Sequence, residues 1–107
     1  MNAVKVEETK PFQNPHMVDA RKIYTQNTEV IHMSLSKGQS LKKHTTPVNV
    51  FFYILEGKGV VEIGEETQEV EKDTTIDSPK GIPHLLRNTG ESAFRFLVIK
   101  LPSTANK

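Results

Sequence analysis

Hydrophobic residues recur along the chain in short runs that alternate with polar residues, and glycine, proline or asparagine separates one run from the next. The runs lie at residues 18–24, 30–35, 48–55, 60–63, 68–70, 75–76, 85–86 and 94–100. Short runs of β-branched and aromatic residues with a period of two are typical of strands. No stretch of the sequence shows a capped 3.6-residue helical period. The pattern therefore predicts an all-β domain, either a sandwich or a barrel.

The run from 48 to 55 predicts which side chains face the interior. Residues two apart on a strand point to the same face. If the strand is extended back to residue 44, one face consists of His44, Thr46, Val48, Val50, Phe52 and Ile54. From Val48 onwards all residues of this face are apolar. We expect this face to line the interior of the domain, together with His84 from a neighbouring strand. Phe51 and Tyr53 then point outwards.

The sequence predicts three segments along the chain. Residues 1–17 contain Pro11 and Pro15 and no strand pattern, so we expect an N-terminal arm. Residues 18–102 form the β-barrel, and residues 103–107 form a C-terminal tail. The first eight residues lack the apolar core of a signal peptide, which predicts a cytoplasmic protein.

Composition narrows the possible functions. The chain has 107 residues, enough for one domain, with 36% hydrophobic and 25% charged residues. A formal net charge of +1 gives no reason to expect a nucleic acid or a charged membrane as partner. No apolar run approaches the roughly 20 residues needed to span a bilayer. The sequence contains no cysteine, which excludes disulfides, thiolate metal sites and cysteine nucleophiles.

Two short motifs have a spacing that is specific to one family. Gly38 is followed by five residues and then by His44, and this segment closes at Gly57. The second motif consists of Pro79, Gly81, His84 and Asn88. In these positions the chain resembles the cupin superfamily, over residues 18–101. The resemblance implies a cupin-type double-stranded β-helix, a jelly-roll barrel, built as a small single domain.

The chain departs from this family at two metal-ligand positions. Metal-binding cupins usually supply three histidines and one glutamate, but here the second histidine position holds Thr46 and the glutamate position holds Val50. His44 and His84 remain as candidate ligands for a divalent transition metal such as Zn, Ni, Fe, Mn or Cu. Two neutral imidazoles leave most of a metal's coordination shell unfilled. We therefore expect a degenerate metal site of weak affinity.

The interior face nevertheless predicts a ligand site at His44, Thr46, Phe52 and His84. Two inward histidines in an apolar barrel carry a desolvation cost unless they bind something. Three functions remain open: a protein that binds a small molecule in the lumen, an enzyme, or a structural dimer without chemistry. The enzyme would be of dioxygenase or isomerase type with a weakly held metal, or would use a histidine as a metal-free general base.

Two further histidines and two aromatic residues complete the expectations. His16 lies in the arm, and His32 alternates with the apolar residues Ile31 and Met33, so we expect both histidines at the surface rather than in a metal site. The neighbouring outward rings of Phe51 and Tyr53 suit a partner subunit. Together with the family resemblance, this predicts a homodimer.

Overall fold

The computed structural model describes residues 1–102 as a nearly all-β domain, which confirms the predicted fold class. A short 3-10 helix at Val6–Glu8 precedes the strands. The strands are β1 (Asp19–Thr25), β2 (Glu29–Leu35), β3 (Val50–Glu56), β4 (Lys58–Ile63), β5 (Glu66–Glu71), β6 (Thr75–Ser78), β7 (His84–Asn88) and β8 (Phe94–Lys100). The predicted tail at residues 103–107 lies outside the described residues.

The strands form two antiparallel sheets in a jelly-roll arrangement. The larger sheet has the order β1-β2-β8-β3-β6, and the smaller sheet has the order β5-β4-β7. The strand pairing keeps the two sheets separate, so the barrel is not closed by continuous hydrogen bonding. Residues between β2 and β3 reach across to β7 through the isolated bridges Ser40↔Arg87 and His44↔His84. These bridges place the first motif beside the second.

The core lies between the two sheets, and β3 shows why. Val50, Phe52 and Ile54 are at most 1% exposed, whereas Phe51 and Tyr53 between them are half-buried on the other face. The core also takes Leu35 from β2 and the adjacent pair Phe94 and Phe96 from β8. The alternation predicted for β3 is confirmed, and burial of these large side chains provides the main driving force for folding.

Tight turns hold the hairpins in register. Gly64 joins β4 to β5 with φ 60°, and Gly57 joins β3 to β4 with φ 88°. A side chain at Gly57 would also collide with the carbonyl oxygen of Ala93. Only glycine combines this left-handed conformation with so close an approach, which is why the first motif ends at this residue.

The N-terminal arm folds back onto the larger sheet. The backbone N–H of Phe12 donates to the carbonyl oxygen of Ala20 at 2.9 Å, and the ring of Phe12 packs against the core. Arg21 on β1 donates to the carbonyl oxygens of Val6 (3.3 Å) and Thr9 (2.6 Å). The arm therefore covers part of the sheet's outer face. The only helix in residues 1–102 is the three-residue turn of the arm, and it cannot span a membrane.

One expectation about the surface is wrong. His32 lies on β2 between the core residues Ile31 and Met33, on the opposite face of the sheet, yet it is only 3% exposed. A groove formed by the arm and the side chain of Arg95 on β8 surrounds it on this outer face. Strand alternation gave the correct face, but burial there depends on the folded arm, which local sequence does not show.

Candidate functional site

His44 and His84 face each other across a backbone bridge. The N–H of His44 donates to the carbonyl oxygen of His84 at 3.1 Å, and the N–H of His84 donates to the carbonyl oxygen of His44 at 2.9 Å. This exchange holds the two side chains next to each other, with their Nε2 atoms 3.2 Å apart. The structure thus brings together the two histidines that the motifs single out, one from each motif.

The hydrogen bonds around this pair have one consistent direction. Nδ1 of His44 lies 2.9 Å from the carbonyl oxygen of Lys42, which can only accept, so this nitrogen carries the proton. In a neutral ring, Nε2 of His44 is then an acceptor, and it receives the Nε2–H of His84. The remaining nitrogen of His84, Nδ1, accepts from the hydroxyl of Ser78 at 2.8 Å. The protons therefore point from Ser78 through both imidazoles to Lys42.

Burial keeps His84 neutral. His84 is 2% exposed, and this burial, together with the nearby His44, lowers its pKa to about 4. The edge of the Phe52 ring packs against His84, with 5.2 Å between ring centroids and 85° between planes. A group with this pKa stays uncharged at neutral pH, so His84 acts there as a neutral donor and acceptor.

The other two predicted ligand-binding residues have supporting positions. Phe52 is fully buried beneath His84 and fixes its ring from the core side. Thr46 is 8% exposed, and its hydroxyl donates to the carbonyl oxygen of Val48 at 2.9 Å. The carbonyl oxygen of Thr46 accepts the N–H of Gly81 at 3.0 Å, which joins the two motif loops. Thr46 thus shapes the site through its backbone while its hydroxyl is engaged locally.

Two residues of the site were not predicted. Ser78 is 1% exposed at the end of β6, two residues after Ile76, and alternation along β6 is the signal that indicates its inward direction. His16 comes from the arm: its Nδ1 accepts the N–H of Lys42 at 2.9 Å, and its ring centroid lies 5.0 Å from that of His44. No local pattern reveals His16, because its position depends on the arm folding back.

A cavity of about 370 Å³ lies between the edge strands of the two sheets. Its apolar residues are Val61, Ile63, Val70 and Ile76, and its polar residues are Glu66, Thr67, Gln68 and Asp77. Ile63 on β4 is the direct cross-strand partner of His84. The cavity is therefore connected to the pair through Ile63, and its apolar residues are of the kind that line small-molecule sites.

The donor set does not fit a tightly held metal. Within residues 1–102, no group of three or more His, Cys, Asp or Glu side chains is arranged to hold a metal ion. His16 lies near His44, but its Nδ1 is already engaged by the backbone of Lys42. Metal sites in proteins normally have at least three protein ligands, and the site here provides two.

Comparison with known sequences assigns the family. The profile of the Cupin domain family matches residues 31–100, which include both motifs and all strands from β3 to β8. The chain belongs to the cupin family. A relative of this cupin in Methanocaldococcus jannaschii, an uncharacterised protein, is 32% identical over 88 residues, which cover 69% of this chain and 70% of the relative.

Solved structures share the fold of this cupin. A protein described as a predicted oxalate decarboxylase from Thermotoga maritima has a TM-score of 0.83 at 22% identity, covering 94% of this chain and 99% of its own. A Thermus thermophilus protein has a TM-score of 0.81 at 26% identity, covering 95% and 98%. The polyketide cyclase RemF from Streptomyces resistomycificus has a TM-score of 0.80 at 22% identity, covering 94% and 78%. Their names differ widely, so the shared fold does not specify a reaction.

Proposed function

We propose that this cupin binds a small molecule at the His44–His84 pair in the barrel lumen, where its degenerate metal site has become a metal-free recognition site. The observation that carries this proposal is the chain of hydrogen bonds that runs in one direction from Ser78 through both imidazoles to the carbonyl oxygen of Lys42. Every ring nitrogen of the pair has a defined role in this chain. Polar groups so fixed in a largely apolar interior are suited to recognising a ligand.

The direction of these hydrogen bonds indicates what kind of ligand fits. The Nε2–H of His84 is a donor and the Nε2 of His44 is an acceptor, and they lie 3.2 Å apart. A ligand with a carbonyl next to a hydroxyl can replace this bond by accepting from His84 and donating to His44. The apolar wall that includes Ile63 suits a small hydrocarbon portion of the same molecule. We therefore infer a small, uncharged hydroxycarbonyl compound as the ligand class.

A metal-dependent enzyme of dioxygenase or isomerase type is the competing hypothesis. It requires a divalent metal on His44 and His84, with water or substrate supplying the other ligands. The incomplete donor set argues against it. A structural dimer without chemistry is the remaining alternative, and it predicts that no small molecule affects the His44–His84 pair.

The test is a titration followed through the imidazole signals in long-range ¹H–¹⁵N spectra. Hydroxyacetone and acetoin are the probes, and acetone, which lacks the hydroxyl, is the control compound. We expect saturable shifts at His44 and His84 with the two hydroxycarbonyls and weaker effects with acetone. His44→Ala should abolish the response, whereas Thr45→Ala, at the exposed neighbouring position, should retain it. If neither hydroxycarbonyl moves the ring signals, the proposed ligand class is wrong.

We further propose that two copies of this cupin associate through the outer face of the larger sheet. Val30, Ile99 and Phe51 lie side by side across β2, β8 and β3, and Leu97 and Tyr53 form the next row. All five are half-buried within one chain. A continuous apolar row can pack against its own copy about a two-fold axis. Light scattering of the parent and of Leu97→Glu tests this: the parent should have the mass of a dimer and the variant that of a monomer.

A further inference from the structure

The outer face of the larger sheet holds a second polar site, on the opposite side of the sheet from the His44–His84 pair. A groove of about 580 Å³ lies between the N-terminal arm and strands β1, β2 and β8. Lys5 lines it from the arm, His32 and Ser34 from β2, and Arg95 from β8. We propose that this groove binds a small carboxylate anion.

His32 supplies the first argument, because it holds a buried donor that lacks an acceptor. The Nε–H of Arg95 donates to Nε2 of His32 at 3.1 Å. A guanidinium group has no acceptor, so Nε2 of His32 is unprotonated and the neutral ring carries its proton on Nδ1. This Nδ1 is buried and has no hydrogen-bond partner within the described residues. Native proteins rarely leave such a donor unsatisfied, and an incoming acceptor is one way to satisfy it.

Other hydrogen-bond donors that line the groove are available to the same incoming carboxylate. Arg95 uses Nε for His32 and Nη1 for Glu56 at 2.8 Å, and no intramolecular bond within residues 1–102 engages its Nη2. The hydroxyl of the half-buried Ser34 is likewise without an intramolecular partner among these residues. The ammonium of Lys5 lies on the arm side of the groove. A carboxylate accepts through two oxygens and can use several such donors together.

Arg21 has a different part in the groove, because its hydrogen bonds are already made. It pairs with both carboxylate oxygens of Asp19 at 3.0 and 3.2 Å, and its Nη1 holds the carbonyl oxygens of Val6 and Thr9. Arg21 therefore fixes the arm that forms one wall. Its engagement leaves ligand binding to Lys5, Ser34, His32 and Arg95.

The charges of the groove favour a singly charged ligand. Lys5, Arg21 and Arg95 line it together with the carboxylates of Glu7 and Asp19, and a third carboxylate, Glu56, pairs with Arg95. A carboxylate adds one negative charge to this balanced set, whereas a phosphate dianion adds two. Because Nδ1 of His32 is buried, the carboxylate reaches it only when groups around the groove, which include the arm residue Lys5, move. Binding should therefore perturb the arm as well as the sheet.

A titration with sodium acetate tests the proposal, with ionic strength held constant by sodium chloride. The ¹⁵N signals of the Arg95 guanidinium, the His32 ring and the arm amides should shift saturably. Arg95→Gln should weaken acetate binding at least about tenfold, and Ser34→Ala about threefold, consistent with the loss of hydrogen bonds to a charged group. Lys37→Ala, which removes an exposed cation elsewhere, should bind acetate like the parent.

Three outcomes would overturn the proposal. Shifts that fail to saturate, or that the Arg95→Gln and Ser34→Ala variants share unchanged with the parent, would show that acetate does not bind in the groove. Tighter binding of sodium phosphate than of acetate would contradict the choice of a carboxylate. Ser34→Ala keeps the test valid even if Arg95→Gln does not fold, because it removes one hydroxyl and leaves both ion-pairing arginines in place.

Discussion

The hydroxyl of Ser78 donates to Nδ1 of His84 across 2.8 Å, and the two side chains are only 1% and 2% exposed. In this bond Nδ1 of His84 accepts through its lone pair and carries no proton, which agrees with the direction set by the carbonyl oxygen of Lys42 at the other end. Nε2 of His84 therefore carries the proton and is the donor facing His44. The chain of hydrogen bonds thus ends at a residue that lies on β6 of the other sheet and outside both family motifs.

We predict that Ser78→Ala destabilises the protein by about 1–3 kcal/mol, because it leaves the buried Nδ1 of His84 without a partner. Urea unfolding followed by circular dichroism measures this difference. Ser36→Ala, a substitution at an exposed serine, serves as the control and should change the free energy of unfolding by less than about 0.5 kcal/mol. Equal stabilities of the two variants would show that the Ser78–His84 bond contributes nothing.

Phe52 and Phe51 give a matched pair on opposite faces of β3. Phe52→Ala removes a fully buried ring that packs on His84, and we expect a loss of about 3–5 kcal/mol in unfolding free energy. Phe51→Ala removes a half-buried ring on the outer face and should cost much less in the monomer. Thermal and urea unfolding at low protein concentration compare the two. Equal losses would contradict the assignment of the two faces.

Stability should decrease in mild acid because of His84. Burial lowers its folded-state pKa to about 4, below the value of about 6.5 expected in the unfolded chain. Between these values the unfolded state binds a proton that the folded state does not, so the free energy of unfolding falls as pH falls from 6.5 to 4. At about 1.4 kcal/mol per pH unit, the loss from this residue reaches about 3 kcal/mol.

The matched variant for this pH dependence is His84→Gln, which cannot titrate. Unfolding measured from pH 4 to pH 8 should show a smaller slope for the variant than for the parent. Some slope should persist, because burial also lowers the pKa values of His32 and His16. An unchanged slope in His84→Gln would show that this histidine is not the residue responsible.

Metal content distinguishes the proposed binding protein from a metalloenzyme. We expect untagged protein to carry well under one metal ion per chain by mass spectrometry, and desalting after incubation with zinc, nickel, copper, iron or manganese to leave that content low. The reason is the shortage of ligands around His44 and His84. One metal per chain in the parent, lost in both His44→Ala and His84→Ala, would establish the competing hypothesis instead.

Patterns within single strands predicted most of the fold. Short runs of β-compatible residues between turn signals identified every strand, and alternation identified the buried face of β3. Motif spacing predicted that His44 and His84 belong to one site. Alternation also placed His32 on the outer face but not in a buried position, because the arm and Arg95 enclose it. Contacts made by a segment without regular structure leave no periodic signal in the sequence. The same reason explains why His16 was not expected beside His44.

The backbone of Lys42 forms hydrogen bonds with two histidines. Its N–H donates to Nδ1 of His16, and its carbonyl oxygen accepts from Nδ1 of His44. Neither bond uses the lysine side chain. Replacing the side chain at position 42 therefore leaves both bonds available, as long as the backbone N–H is kept. Proline is the one replacement that removes the N–H and breaks the link to His16. In this cupin, the geometry of the site depends on the backbone of a residue whose side chain takes no part in either bond.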